Sequence, residues 1–127
     1  MRWWCRRGRW WGWIDVGTPD LFPPLCALAA VSRGRTVLFG APGFRDKECD
    51  RIAAMGAGCR ALGVCAERGW DRDRGGMCRG RVHAFDDHRV HMAFSVLGVA
   101  DVVEDGRGCE GVSYPGFHGD LARVRAG

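Results

Sequence analysis

The sequence predicts an α/β fold, because segments of strand character alternate with segments of helical periodicity. Three observations support this class: short apolar runs of strand length, apolar residues spaced three and four apart, and turns rich in glycine or proline between them. The chain has 127 residues, of which 46% are hydrophobic, so it fits one domain or part of a larger one.

The first 14 residues differ in composition from residues 15–127. Five of the six tryptophans lie here, interleaved with arginines. We interpret residues 1–14 as an atypical leader or partial strand whose aromatic side chains cover a neighbouring surface. We favour with it the interpretation that these residues are under weak selection at a start inside a longer ancestral gene. The alternative is a membrane-surface or nucleic-acid-binding arm.

The regular pattern begins with a turn over residues 15–20, where Thr18 is a candidate N-cap and Pro19 takes the first helical position. A buried helix is predicted next, although two prolines in its first turn could delay its start. In chain order, the predicted elements are a helix over 21–31, a strand over 36–39, a helix over 48–62, a strand over 81–84, a helix over 86–97, a strand over 101–103 and a helix over 117–124.

Composition limits the cellular location and the kinds of ligand that are expected for this chain. No apolar run reaches the roughly 18 residues that span a bilayer, and no signal peptide is evident, so a cytoplasmic location is expected. The seven cysteines show no metal-binding spacing and indicate buried reduced thiols. A net charge of +4 suits nucleic acid or a small phosphorylated substrate.

Charged residues gather at three predicted helix starts, where unpaired backbone N–H groups favour an anionic ligand. The chain's one lysine, Lys47, could form a cationic pocket with Arg51 and Arg89. Asp20 and Glu48 could transfer protons. The alternative is that the acids only cap helices and the arginines are their surface partners.

His88 and His91 form an H-x-x-H pair that could share one helix face. No further ligands occur at suitable spacing, so core or orienting roles are favoured over a metal site. The glycine-rich stretches match neither a Walker motif nor G-x-G-x-x-G after a strand, so nucleotide binding has no motif support.

Four motifs occur together in one order: TPDLFPP at 18–24, KECDRI at 47–52, DHR at 87–89 with MAF at 92–94, and SYPGF at 113–117. In this the chain resembles the C-terminal portion of EPSP synthases, the 3-phosphoshikimate 1-carboxyvinyltransferases. The segment at 47–51 is close to the family's KESDR signature, with Cys49 in place of a small hydroxyl residue.

The resemblance implies part of an enolpyruvyl-transferase domain, an inside-out α/β barrel built of βαβαββ units, over residues 15–127. It implies transfer of the enolpyruvyl group from phosphoenolpyruvate to shikimate 3-phosphate, in the shikimate pathway of aromatic amino acid biosynthesis, with no cofactor. The matching portion alone is expected to be inactive. A separately encoded N-terminal domain is a candidate partner; no membrane partner is expected, and nucleic acid is disfavoured.

The resemblance also implies residue roles. Asp20 is the acid–base carboxylate facing the shikimate hydroxyl, Lys47 lies near that hydroxyl, and Glu48 protonates the methylene carbon. The residues implied to bind substrate are Lys47, Arg51, His88 and Arg89.

Two positions depart from the family pattern, since Val112 and Gly43 stand where a lysine and an asparagine or histidine are frequent. Two other functions remain open: a relative of the UDP-N-acetylglucosamine enolpyruvyl transferases, and a basic anion- or nucleic-acid-binding module without catalysis.

Overall fold

The computed structural model describes residues 3–7, 11–31, 34–40, 49–64, 66–67, 79–98, 100–103 and 113–127. Within this part of the chain, six strands and four α-helices form the α/β fold that the sequence predicts. In chain order they are β1 (Trp3–Arg7), β2 (Trp11–Asp15), α1 (Phe22–Val31), β3 (Gly34–Phe39), α2 (Arg51–Ala61), β4 (Ala66–Glu67), β5 (Gly80–His83), α3 (His88–Leu97), β6 (Ala100–Val103) and α4 (Phe117–Ala126).

The strands form two sheets. The larger has the order β2-β3-β1-β4, in which β3 pairs parallel with β2 and antiparallel with β1. The two tryptophan-containing strands therefore lie on either side of β3 and do not pair with each other. In the smaller sheet β5 and β6 pair in parallel, and α3 provides the crossover that a parallel pair requires. None of the described helices has the length and apolar character needed to cross a bilayer.

Capping residues determine where the helices begin more than the apolar pattern does. A 3-10 turn over Pro19–Leu21 leads directly into α1, whose early prolines are tolerated because first-turn N–H groups need no helical acceptor. Helix α2 begins at Arg51, three residues later than predicted, because the Asp50 carboxylate accepts hydrogen bonds from the N–H groups of Ile52 and Ala53. Thr18 is the N-cap residue of the 3-10 turn and Pro19 follows it, as predicted, although the Thr18 side chain makes no capping hydrogen bond.

The core lies where α1, α2 and α3 pack against the sheets. Within it, α2 and α3 come into close contact. Fully buried apolar residues from all three helices meet there, among them Cys26, Met55 and Phe94. Helix α2 approaches α3 at Gly58, where an added Cβ would lie 2.1 Å from the ring of Phe94. Cys26 and Cys59 are buried, reduced thiols, as the sequence indicates.

Gly58→Ala is expected to lower the free energy of unfolding by about 1–3 kcal/mol, because the methyl group overlaps the Phe94 ring in a packed core. Gly119→Ala is the matched control: it lies in α4 with no atom near its added Cβ, and alanine there should add up to about 1 kcal/mol of helix stability. Urea denaturation of both variants measures the difference. Equal effects would mean that α2 and α3 are not this close.

Candidate functional site

Three helix starts converge around the guanidinium group of Arg51, the first residue of α2. Its Nη1 lies 2.9 Å from Oδ1 of Asp20, in the 3-10 turn before α1. Its Nε lies 2.7 Å from Oδ2 of Asp87, the residue that caps α3. Arg89, in the first turn of α3, places its Nε 3.2 Å from the same Asp20 oxygen. Asp20 is therefore held between two guanidinium groups.

Burial separates the two arginines in this cluster. Arg51 is only 1% exposed, and besides its two carboxylates it donates from Nη1 to the carbonyl oxygen of Pro19 at 3.2 Å. The Arg89 side chain is 34% exposed and that of Asp20 is 45% exposed. Arg89 and Asp20 can thus contact a ligand directly, whereas Arg51 is enclosed by its partners.

Asp87 connects α2 to α3 with both of its carboxylate oxygens. Oδ1 accepts from the backbone N–H groups of Arg89 at 3.0 Å and Val90 at 3.2 Å, which caps α3. Oδ2 accepts from Arg51 Nε at 2.7 Å and from Cys49 Sγ at 3.7 Å. Because Asp87 is fully buried, these donors are what makes its charge tolerable inside the fold.

The thiol of Cys49 acts in this arrangement as a donor. Burial is the largest cause, and the negative charge of Asp87 the next, of a pKa raised from 9.0 to about 12. The thiol therefore stays protonated near neutral pH, which suits a hydrogen-bond donor and not a nucleophile. Cys49 directly follows Lys47 and Glu48 in the chain, and these two predicted site residues lie outside the described residues.

A shallow cavity opens beside the exposed end of the cluster. Its volume is about 150 Å³, and Asp20 and Arg89 are its charged lining residues, facing Met92 and Val96. Taken together, the described charges of the cluster balance: the guanidinium groups of Arg51 and Arg89 face the carboxylates of Asp20 and Asp87. An anion at this cavity would meet Arg89 in competition with Asp20.

The structure places the predicted histidines in the packing of α3. His88 and His91 are both buried, as expected for core residues. His91 Nε2 lies 2.8 Å from Nε2 of His118 in α4, so this histidine ties α4 to α3. Across the described ranges, no three His, Cys, Asp or Glu side chains group in a way that could hold a metal ion.

The structure thus brings together three of the predicted site residues: Asp20, Arg51 and Arg89. Sequence reasoning did not assign a site role to Asp87, although the signal was present. An aspartate at the start of a predicted helix is a candidate cap, and a carboxylate next to arginines is a candidate ion-pair partner. Val112 and Gly43, the two departures from the family pattern, lie outside the described residues.

Comparison with known proteins gives one consistent result. A family model described as EPSP synthase (3-phosphoshikimate 1-carboxyvinyltransferase) matches residues 14–121. Proteins named 3-phosphoshikimate 1-carboxyvinyltransferase from Thermus thermophilus, Methanocella arvoryzae and Coxiella burnetii are 47%, 38% and 44% identical to this chain over 112, 121 and 106 residues.

These alignments cover 84%, 89% and 79% of this chain but only 26%, 28% and 24% of the three relatives. The chain therefore spans about a quarter of the length of the relatives it matches. The family match includes all of the described cluster around Arg51 and every helix and strand from α1 to β6. On this evidence the chain belongs to the EPSP synthase family.

Proposed function

We propose that this chain is the part of an EPSP synthase that holds phosphoenolpyruvate and supplies acid–base groups for its transfer. In the proposed reaction the enolpyruvyl group moves to shikimate 3-phosphate through a tetrahedral intermediate, and phosphate is released. The observation that carries the proposal is the convergence of three helix starts from distant parts of the chain on Asp20, Arg51 and Arg89. The family match covers the same residues.

Among the residues that the structure describes, Arg89 is the cation that we propose contacts the ligand. Its guanidinium group is partly exposed at a cavity, and its planar donors suit a carboxylate or phosphate group. Arg51 is enclosed, so its role in this arrangement is to fix Asp20 and to connect α2 to α3. Lys47 is the second cation that we expect at the ligand, and His88 is a proposed contact on the resemblance alone.

Asp20 and Glu48 are the proposed acid–base pair. The Asp20 carboxylate is fixed by two guanidinium groups yet remains half-exposed, so a substrate hydroxyl can reach it and transfer a proton. Glu48 would add a proton to the methylene carbon of phosphoenolpyruvate as the new C–O bond forms. When the tetrahedral intermediate breaks down, the C–O bond to phosphate breaks and negative charge develops on the departing phosphate, where neighbouring cations would stabilise it.

The proposal includes the fold of the family, an inside-out barrel of βαβαββ units. Portions of the fold that this sequence does not match would complete that barrel. The proposal also includes a cytoplasmic location. Supporting the fold is the parallel β5–α3–β6 unit, which is one βαβ crossover. A separately encoded N-terminal domain is one way in which the complete fold could be supplied.

Titration of the chain with inorganic phosphate or phosphoenolpyruvate, followed by NMR shift mapping, tests the anion site. We expect millimolar binding that weakens as salt is added. Arg89→Ala should weaken binding by about 10-fold or more, since a charge-assisted hydrogen bond contributes about 1.5–3 kcal/mol.

Arg123→Ala is the matched control, because this exposed arginine of α4 forms an ion pair with Asp120 at 2.8 Å, much as Arg89 does with Asp20. It should leave the affinity unchanged. An equal loss in both variants would show general attraction to a basic surface and would remove the proposed site.

A further inference from the structure

The contact between α3 and α4 contains a pair of histidines whose contact with each other the proposed function does not use. His91 Nε2 lies 2.8 Å from His118 Nε2, and the centroids of the two rings are 5.0 Å apart. Together these distances mean that the rings meet nearly end to end, each with its Nε2 pointing at the other. His91 is only 4% exposed, whereas His118 is exposed, so solvent reaches the pair from the His118 side.

This arrangement has room for one proton between the two nitrogens. A hydrogen bond forms when one Nε2 carries a proton and the other presents its lone pair. A shared metal ion fits less well, because its ligands approach it along converging lines and not head-on. If both imidazoles are protonated, two N–H groups and two positive charges face each other across 2.8 Å. The contact is therefore attractive with one proton and repulsive with two.

Burial determines which histidine is charged first. His118 is exposed and keeps its charge hydrated, and as a cation it still donates to His91. His91 is buried, and burial disfavours the charged form of an imidazole. The docked pair therefore accepts one positive charge and resists a second. Once α4 is released, both imidazoles can take up protons in the ordinary imidazole range, at about pH 6.5.

The sign of the pH dependence follows from this difference in bound protons. The released state binds more protons than the docked state, so a fall in pH favours release. Docking of α4 through this pair is fully present above the imidazole range and weakens progressively below it. Histidine is the side chain whose unperturbed charge change lies in this range.

Among the described residues, few other contacts hold α4 on α3. Phe117 is the one buried residue of the helix, and the side chains after it are half-exposed or exposed. Near the C-terminal end of α4, Arg125 Nη2 donates to the carbonyl oxygen of Ser95 at 2.5 Å, one turn after His91 on α3. A helix held by so few buried contacts opens at a small cost in free energy, so the loss of one polar contact has a large effect on its docking.

The charges of the neighbouring described elements do not oppose this response. Helix α1, which packs on α3, carries no charged residue. On the other segments around the pair, the charged or titratable groups are Asp87, His88, Asp101, Tyr114, Asp120 and Arg125. Each of the three acids contacts an arginine, in that order Arg51, Arg81 and Arg123. The positive charge of Arg125 on α4 further disfavours a second charge on the docked pair.

We propose that His91 and His118 form a pH-sensitive switch that holds α4 on α3 above the imidazole range and releases it as the pH falls below that range. The inference goes beyond the proposed function and rests on the α3–α4 contact. Neither histidine lines the cavity beside Asp20 and Arg89. Loss of the anion site would leave the switch intact, and a pH-independent α4 would leave the anion site intact.

Amide hydrogen exchange of the full chain at about pH 7.5 and about pH 5.0, corrected for the intrinsic effect of pH on exchange, tests the switch. We expect the protection of α4 amides to fall by about tenfold or more at the lower pH. The reason is that release takes up one additional proton at about 1.5 pH units below the imidazole range. Amides of α2 are the internal reference and should change by no more than about twofold. An equal loss in α2 and α4 would show general unfolding and overturn the proposal.

Two variants separate this pair from other titrating groups. In His118→Gln the protection of α4 should be about the same at both pH values, because glutamine takes up no proton. His83→Gln is the matched control: it removes an exposed histidine of β5, outside the α3–α4 contact, and should respond as the unchanged chain does. A full pH response in His118→Gln, or loss of the response in His83→Gln, would contradict the switch.

A second measurement decides the case in which His118→Gln leaves α4 unprotected at both pH values. In the unchanged chain labelled with ¹⁵N in its histidines, NMR should detect scalar coupling between the two Nε2 nuclei through their hydrogen bond at about pH 7.5, and none at about pH 5.0. Coupling that is absent at the higher pH, or that persists at the lower pH, would overturn the proposal.

Discussion

Arg51→Ala is expected to lower the free energy of unfolding by about 3–5 kcal/mol, a large part of the stability of a small domain. The reason is that Asp87, which is fully buried, loses the donor 2.7 Å from its Oδ2 and keeps an uncompensated charge. Asp20 loses a partner in the same step. Urea denaturation followed by circular dichroism measures the loss.

The control for this prediction is Arg81→Ala. Arg81 pairs with Asp101 at 3.5 Å on the open surface, where an ion pair contributes between 0 and about 1 kcal/mol. Arg51→Met combined with Asp87→Asn should cost less than the sum of the single changes, because it removes both buried charges. If Arg51→Ala cost no more than Arg81→Ala, the buried pair would not connect α2 to α3 as described.

The second large effect concerns activity. The chain alone is expected to show no measurable enolpyruvyl transfer, because holding two substrates in reactive geometry can account for about 7–11 kcal/mol of a barrier. The family resemblance assigns most shikimate 3-phosphate contacts to a portion that this sequence does not match. Phosphate release from phosphoenolpyruvate, measured with and without shikimate 3-phosphate, checks this. Release that needs shikimate 3-phosphate and is lost in Glu48→Gln would contradict it.

Periodicity and turn residues were sufficient to predict the α/β class and the described helices and strands from α1 onward, except for the two-residue strand β4. They could not predict the boundaries set by side-chain caps, as at α2, where Asp50 moves the start to Arg51. Nor could they predict that β1 lies between β3 and β4, since the apolar pattern of a strand does not specify its neighbours.

For the candidate site, the charged clusters at three predicted helix starts predicted that Asp20, Arg51 and Arg89 would lie together, and the structure brings them together. Their burial could not be read from sequence, because an arginine in a charged segment is usually solvated. The alternative that the acids cap helices applies to Asp87, which caps α3. Asp87 is also the buried ion-pair partner of Arg51. The assignment of catalytic roles stays a prediction.

The most direct test of the proposed function is enolpyruvyl transfer by a chimera in which this chain replaces the matched segment of the Thermus thermophilus relative. We expect phosphate release that depends on shikimate 3-phosphate, is reduced about tenfold or more by Arg89→Ala and is unchanged by Arg123→Ala. A folded chimera that releases no phosphate, or that responds equally to the two substitutions, would contradict the claim that this chain carries the phosphoenolpyruvate site.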